Sequence, residues 1–149
     1  MSDLLSFQKS FKGDIVTPDD PDYQAAIARW ASNAERRAKI VAFVKDAEDV
    51  SATITFAKAS KLPLAIRSGG HSASGASSSQ DGIVIDLSRY LNGVRIDSEN
   101  KLAYAGGGAL WSTVDKAAIE HGLAGVAGTV NHASTYLLTV RDLYGSHSL

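Results

Sequence analysis

One stretch constrains this chain more than any other. Leu64-Ala65-Ile66 reads as a short apolar strand, and it runs straight into Arg67-Ser68-Gly69-Gly70-His71-Ser72. Two adjacent glycines let the backbone enter positive-φ regions and come close to a ligand. Successive N–H groups in such a turn form a nest for anions, suited to a pyrophosphate. Arg67 can add a charge-assisted bond, and His71 is the one nucleophile-type ring in the loop. A plainer reading of the same residues is a surface turn carrying a solvated histidine.

The elements before this loop lead into it. Val16-Thr17-Pro18-Asp19-Asp20-Pro21 reads as a turn, because proline sets φ and aspartate bonds its own backbone. Tyr23, Ile27 and Trp30 fall on one helical stripe beyond Pro21. Ile40 to Val44 is an apolar strand, and Asp46 is an N-cap with Glu48 and Asp49 in the first turn. Val50, Ile54 and Ala57 repeat at helical spacing, and Pro63 ends that segment. The order strand, helix, strand, glycine loop predicts parallel pairing of the two strands.

Beyond the loop, Gly75 to Gly82 is small and polar, and Ile83-Val84-Ile85-Asp86-Leu87 is a third strand. Val94 and Ile96, then Leu102 and Tyr104, alternate with polar residues around an Asp97-Ser98-Glu99-Asn100 turn, which predicts a hairpin. Gly106-Gly107-Gly108 breaks it. Leu110, Val114 and Ala117 mark a helix that ends before Gly122. Leu123 to Val130 is either strand or buried loop, Met1 to Phe11 a loose arm or a short helix, and Ala133 to Leu149 carries no pattern.

Composition narrows the function classes. The 149 residues hold 15 basic and 16 acidic side chains, so no basic excess draws the chain to nucleic acid or to an anionic membrane. The absence of cysteine excludes disulfides, thiolate catalysis, cysteine-based zinc sites and a cysteinyl cofactor link. No apolar run reaches the roughly 18 residues of a membrane span. The start lacks a signal-peptide pattern, so either the chain is cytoplasmic as written or its true start is missing, and the sequence leaves the location unknown.

Other candidate sites carry less. Gly70-His71-Ser72-Ala73-Ser74 misses a G-x-S-x-G nucleophile elbow by its last residue, and no helical pattern follows. The glycine triplet at 106–108 is not G-x-G-x-x-G, and no acidic residue follows at dinucleotide-fold spacing. His71, His121, His132 and His147 show no metal-ligand spacing. His121 reads as a surface residue near a helix end, Trp111 as packing, and Asp97 and Glu99 as turn residues. Gly125-Val126-Ala127-Gly128-Thr129-Val130-Asn131-His132 is a second candidate binding stretch, which alone also reads as a buried loop.

Together these pieces resemble a family. Leu64 to Ser72 resembles the phosphate-binding loop of FAD-linked oxidases, the berberine-bridge-enzyme-like proteins and the wider vanillyl-alcohol-oxidase/p-cresol-methylhydroxylase (PCMH) group. The resemblance runs from the Thr17–Pro21 turn through Asp81–Leu87 and the Gly106–Gly108 break with Trp111 to Gly128-Thr129-Val130-Asn131-His132. It implies an α+β PCMH-type FAD-binding fold, with a small βαβ lobe from Asp14 to about Arg67 and then a mostly antiparallel lobe with one helix. It implies FAD as cofactor, joined to His71 through the 8α-methyl of the isoalloxazine. Arg67, Ser68, Gly69, Gly70 and Ser72 would cradle the pyrophosphate, and Gly128, Thr129, Val130 and His132 would line the flavin. The histidyl link would hold the flavin and raise its potential.

The implied activity is oxidation of a small organic or carbohydrate alcohol, with hydride passing to the flavin and oxygen reoxidising it. No residue matches a catalytic base. After His132 the family's glycine-rich continuation is replaced by Ala133 to Leu143, with echoes at Leu138-Thr139 and Tyr144-Gly145. The expected organisation is an arm at 1–13, a partial, C-terminally truncated PCMH-type domain at 14–132 and a divergent tail at 133–149, with no substrate domain. A small-molecule substrate is the only expected partner, and the sequence is silent on oligomeric state. Two other readings stay open: a non-catalytic remnant or interaction piece of such an oxidase, and a serine hydrolase using Ser72 with His121 or His132 as base.

Overall fold

The computed structural model describes residues 2–126, 128–135 and 143–145. Helix α1 (Ser2–Ser10) leads into strand β1 (Asp14–Val16) and helix α2 (Tyr23–Ile27), followed by a 3-10 turn at Ser32–Ala34. Strand β2 (Ile40–Phe43), helix α3 (Ala47–Ala59), strand β3 (Leu64–Arg67) and strand β4 (Ile83–Asp86) complete the first lobe. The second lobe holds the hairpin β5 (Val94–Asp97) and β6 (Leu102–Ala105), helix α4 (Trp111–Ile119), and strands β7 (Leu123–Gly125) and β8 (Leu143–Gly145).

The first sheet has the order β1-β2-β4-β3. β2 and β3 run parallel, but the pairing expected between them is not formed, because they are not neighbours. β4 lies between them and pairs parallel with both, Val84 standing opposite Val41 and Ala65. The first lobe therefore extends past Arg67 to take in β4. The reason is burial: Ile83, Val84 and Ile85 are almost wholly shielded, and a strand apolar on both sides belongs at a sheet centre. β3, with Leu64 and Ile66 exposed, takes the edge.

Strand alternation divides the core. On one side Val41, Phe43, Ala65 and Val84 pack with Tyr23 and Ile27 of α2. On the other, Ala42, Val44 and Ile85 pack with Phe7 and Phe11. Phe7 stacks on Phe56 of α3 at 4.6 Å between ring centroids, so the segment expected as an arm or short helix is a helix bound to the core. Asp46 caps α3 as predicted, accepting from the Asp49 amide at 2.9 Å. Asp49 is buried and accepts from the amides of Lys12, Gly13 and Lys45, which joins the end of α1 to the start of α3.

The predicted hairpin is present, antiparallel from Val94↔Ala105 to Asp97↔Leu102. Asp97 accepts from the Asn100 amide, as a turn residue should. In the second lobe β7 and β8 pair antiparallel, which places a strand within the tail that carries no pattern in sequence. The rest of that tail, 136–142 and 146–149, lies outside the described residues, as does His147. Among the described residues no helix is long and apolar enough to cross a membrane.

Candidate FAD site

The glycine loop leaves the C-terminal end of β3 and faces the segment that follows β7. Leu110 forms an isolated bridge with Ser134. The first amides of α4 lack a side-chain cap. Instead Trp111 N–H donates to Ala133 O at 3.1 Å and Ser112 N–H to Asn131 O at 2.7 Å, which satisfies donors a helix start leaves open. Residues 131–134 are thereby carried to the loop after β3. A Cβ on Gly69 would stand 2.8 Å from Leu110 Cδ2 and 3.3 Å from His132 O, so only glycine fits this approach without a shift. Gly70 has φ +67°.

A cleft of about 540 Å³ opens between these segments. Leu64 and Ile66 form its apolar side; Ser68, His71, Ser77 and Ser134 supply polar groups. Three of those polar atoms, Ser68 Oγ, His71 Nε2 and Ser77 Oγ, are buried without a hydrogen-bond partner among the described residues. Buried polar atoms are almost always paired, so this group suits a ligand that brings acceptors and donors of its own.

The structure brings His71 and His132 together, with ring centroids 4.8 Å apart. It adds Trp30, whose indole stacks on the His71 ring at 4.3 Å with 20° between planes. The helical stripe expected through Trp30 ends at Ile27, and Trp30 is 60% exposed, not packed. Sequence reasoning missed it, since an aromatic at helical spacing reads as core.

Arg67 is placed differently from the sequence expectation. Its Nη1 pairs with Asp86 at 2.7 Å, and Asp86 is wholly buried and also accepts from Ser88 N and Oγ. The Arg67 charge is compensated inside the protein, leaving Nε unpartnered. One amide of the expected nest is also engaged, as Gly69 N–H donates to Ser134 Oγ. Below the loop lies a second, unforeseen cation. Arg29 is buried and donates to the carbonyls of Ser77, Ala26 and Ala28. Burial first, and then the nearby Arg67 charge, bring its pKa down to about 10.

The second candidate stretch is only partly drawn in. Gly128 faces the Trp111 indole, where a Cβ would lie 2.9 Å from Nε1. Thr129 is exposed and Val130 half-buried. Ala127 lies outside the described residues. Trp111 is buried and His121 exposed, as expected. Ser72 Oγ shares a hydrogen bond with Ser74 Oγ at 3.0 Å, and no helix follows it, so the hydrolase elbow is not formed.

The profile described as FAD binding domain matches residues 38–137, a span that holds the glycine loop and the cleft. The chain belongs to the FAD binding domain family. This bears out the resemblance read from the sequence, and FAD is the cofactor of the family. (R)-6-hydroxynicotine oxidase of Paenarthrobacter nicotinovorans is 34% identical over 128 residues, covering 86% of this chain and 28% of that protein. The FAD-linked oxidoreductase pgmH of Aspergillus terreus is 34% identical over 151 residues, 99% of this chain and 30% of the relative.

Solved structures agree on the architecture. 6-Hydroxy-D-nicotine oxidase from Arthrobacter nicotinovorans matches with a TM-score of 0.80 and 31% identity over 83% of this chain and 27% of that one. BBE-like 1 of Physcomitrella patens shares the fold, at a TM-score of 0.79 and 19% identity over 88% of this chain and 29% of its own. The chain thus has the α+β PCMH-type FAD-binding fold and spans less than a third of the length of these relatives.

Proposed function

We propose that this chain holds FAD in the cleft between loop 67–72 and residues 132–134, as the flavin-binding part of an oxidoreductase acting on a small organic or carbohydrate alcohol. The observation that carries this reading is the set of buried atoms without a partner among the described residues, Ser68 Oγ, His71 Nε2 and Ser77 Oγ, beside a glycine pair where an added Cβ would be crowded. Ser68, Ser72, Ser77 and the Gly70–Ser72 backbone supply hydrogen bonds. Leu64 and Ile66 offer apolar contact for a flat ring system. Arg29 gives the loop a positive underside without pointing a free charge into the cleft, since Arg67 is already paired with Asp86.

His71 is the attachment residue. One of its ring nitrogens would hold the cofactor through the 8α position of the isoalloxazine. FAD supplies the hydride acceptor; the protein binds, orients and tunes it. His132 flanks the His71 ring, and Gly128 to Val130 form the outer rim of the same segment.

The test is a visible spectrum of the chain purified after expression with FAD, followed by acid precipitation. Flavin absorbance that stays with the denatured chain, and is lost in His71→Ala, is the expected result. A folded, colourless chain overturns FAD binding by these residues. Flavin released on denaturation overturns the covalent link alone.

A further inference from the structure

The 68–80 loop carries no helix or strand, yet its histidine is held in one orientation. The hold comes from a segment forty to forty-eight residues earlier. Arg29 Nε and Nη2 donate to Ser77 O at 3.1 and 2.8 Å. Trp30 N–H donates to Gly70 O at 3.3 Å. Asn33 Nδ2 reaches Ala73 O at 3.5 Å. Trp30 touches both the loop backbone and the imidazole of His71, with its ring lying nearly parallel to it at 4.3 Å.

This indole is 60% exposed. A tryptophan whose role was packing would bury a large apolar area, as Trp111 does at 3% exposure. Trp30 instead gives one face to His71. Stacking has a consequence that a hydrogen bond lacks. It restrains the imidazole through its face and leaves both in-plane nitrogens free of the restraint. His132 flanks the same ring at 50° without bonding to it, since His132 Nδ1 faces Asn131 Oδ1 at 3.3 Å. The outcome is a fixed histidine whose Nε2 is buried and has no partner among the described residues.

We propose that Trp30 is the positioning residue for His71, holding its ring by stacking so that neither ring nitrogen is taken up by the restraint. The chemical consequence rests on His71 being the site of flavin attachment; the positioning does not. An oriented nucleophile reacts faster because the ordering is already done before reaction. Removal of the indole frees the ring to rotate and slows attachment, while FAD binding without the bond is little changed.

The experiment uses the full chain with Trp30→Ala, Trp30→Leu and Trp30→Phe, each checked for folding by circular dichroism. Trp30 is exposed enough for truncation to leave the core intact, and the leucine variant keeps apolar bulk without a ring. In the apo chain, the His71 ring protons are expected upfield in the NMR spectrum, with nuclear Overhauser contacts to His132. Both signatures vanish in the alanine and leucine variants and survive in the phenylalanine variant.

On incubation with FAD, the alanine and leucine variants should form acid-stable flavin at least tenfold more slowly than wild type, and the phenylalanine variant within threefold. Wild-type rates in Trp30→Ala, or wild-type His71 shifts and His132 contacts in that variant, overturn the proposal. If wild type binds FAD without linking it, the attachment reading fails. The NMR measurements then decide the positioning by themselves.

Discussion

The amide of Gly69 donates to the hydroxyl of Ser134, 3.1 Å away and 65 positions on in the sequence. This contact ties the loop after β3 to the segment that supplies the first amides of α4 with acceptors. The two walls of the cleft are therefore one hydrogen-bonded unit. Ser134→Ala leaves the Gly69 amide without an acceptor. We expect a loss of about 1 kcal/mol in urea unfolding and weaker FAD binding, with the chain still folded. Unchanged FAD affinity in this variant would show that the walls do not need the tie.

Gly70→Ala introduces a side chain at φ +67°. The new Cβ would also lie 3.1 Å from Arg67 Nε and 3.2 Å from Arg29 Cδ. A left-handed alanine costs about 1–2 kcal/mol, and crowding of the two guanidinium stems adds to it. Thermal unfolding should fall by several degrees. Gly93→Ala meets nothing within 4 Å and serves as the control.

Asp86 is wholly buried and compensates Arg67. Asp86→Ala leaves that guanidinium without a counter-ion, with Arg29 close by. Breaking one half of such a pair costs about 3–5 kcal/mol, enough to unfold much of a marginal domain. The double variant Arg67→Met/Asp86→Leu should recover part of the loss, since it removes both charges. Equal loss in the single and double variants would mean that the Ser88 contacts of Asp86, and not its charge, dominate.

Asp14 titrates below the ordinary carboxylate value of 3.8, first because Tyr90 Oη donates to it and second because Arg89 does. A lowered folded pKa means the contribution is present above 3.8 and fades as pH falls through the folded value. The stability gap between wild type and Asp14→Asn should be flat from pH 5 to 8 and close at lower pH. The side chain is 42% exposed, so the gap is small, roughly a few tenths of a kcal/mol. A gap that widens with acid contradicts this account.

The legible parts of this protein are those whose cause lies within a few residues. Asp46 followed by Glu48 and Asp49 marks a helix start wherever it sits. The alternation of Val94, Ile96, Leu102 and Tyr104 around an Asp97–Asn100 turn reads as a hairpin because the pleat has period two. The loop at Arg67–Ser72 is visible because glycine pairs after a strand allow few other structures. Trp30 was hidden for the opposite reason: its partner His71 is 41 residues away, and its spacing from Ile27 imitates a core position.

The amino-acid sequence by itself determined the elements from β2 to α4, the glycine loop and the family resemblance, since propensity, capping and close backbone approach are local properties of residue types. Tertiary structure alone decided that β4 enters between β2 and β3, that Arg67 turns to Asp86, and that Ser134 closes on Gly69. It also decided that one face of the largely exposed Trp30 indole meets His71. Each of these depends on which distant groups a closed chain brings within bonding distance. Burial of Ile83, Val84 and Ile85 in the sheet centre sets that geometry, and no spacing along the chain encodes it.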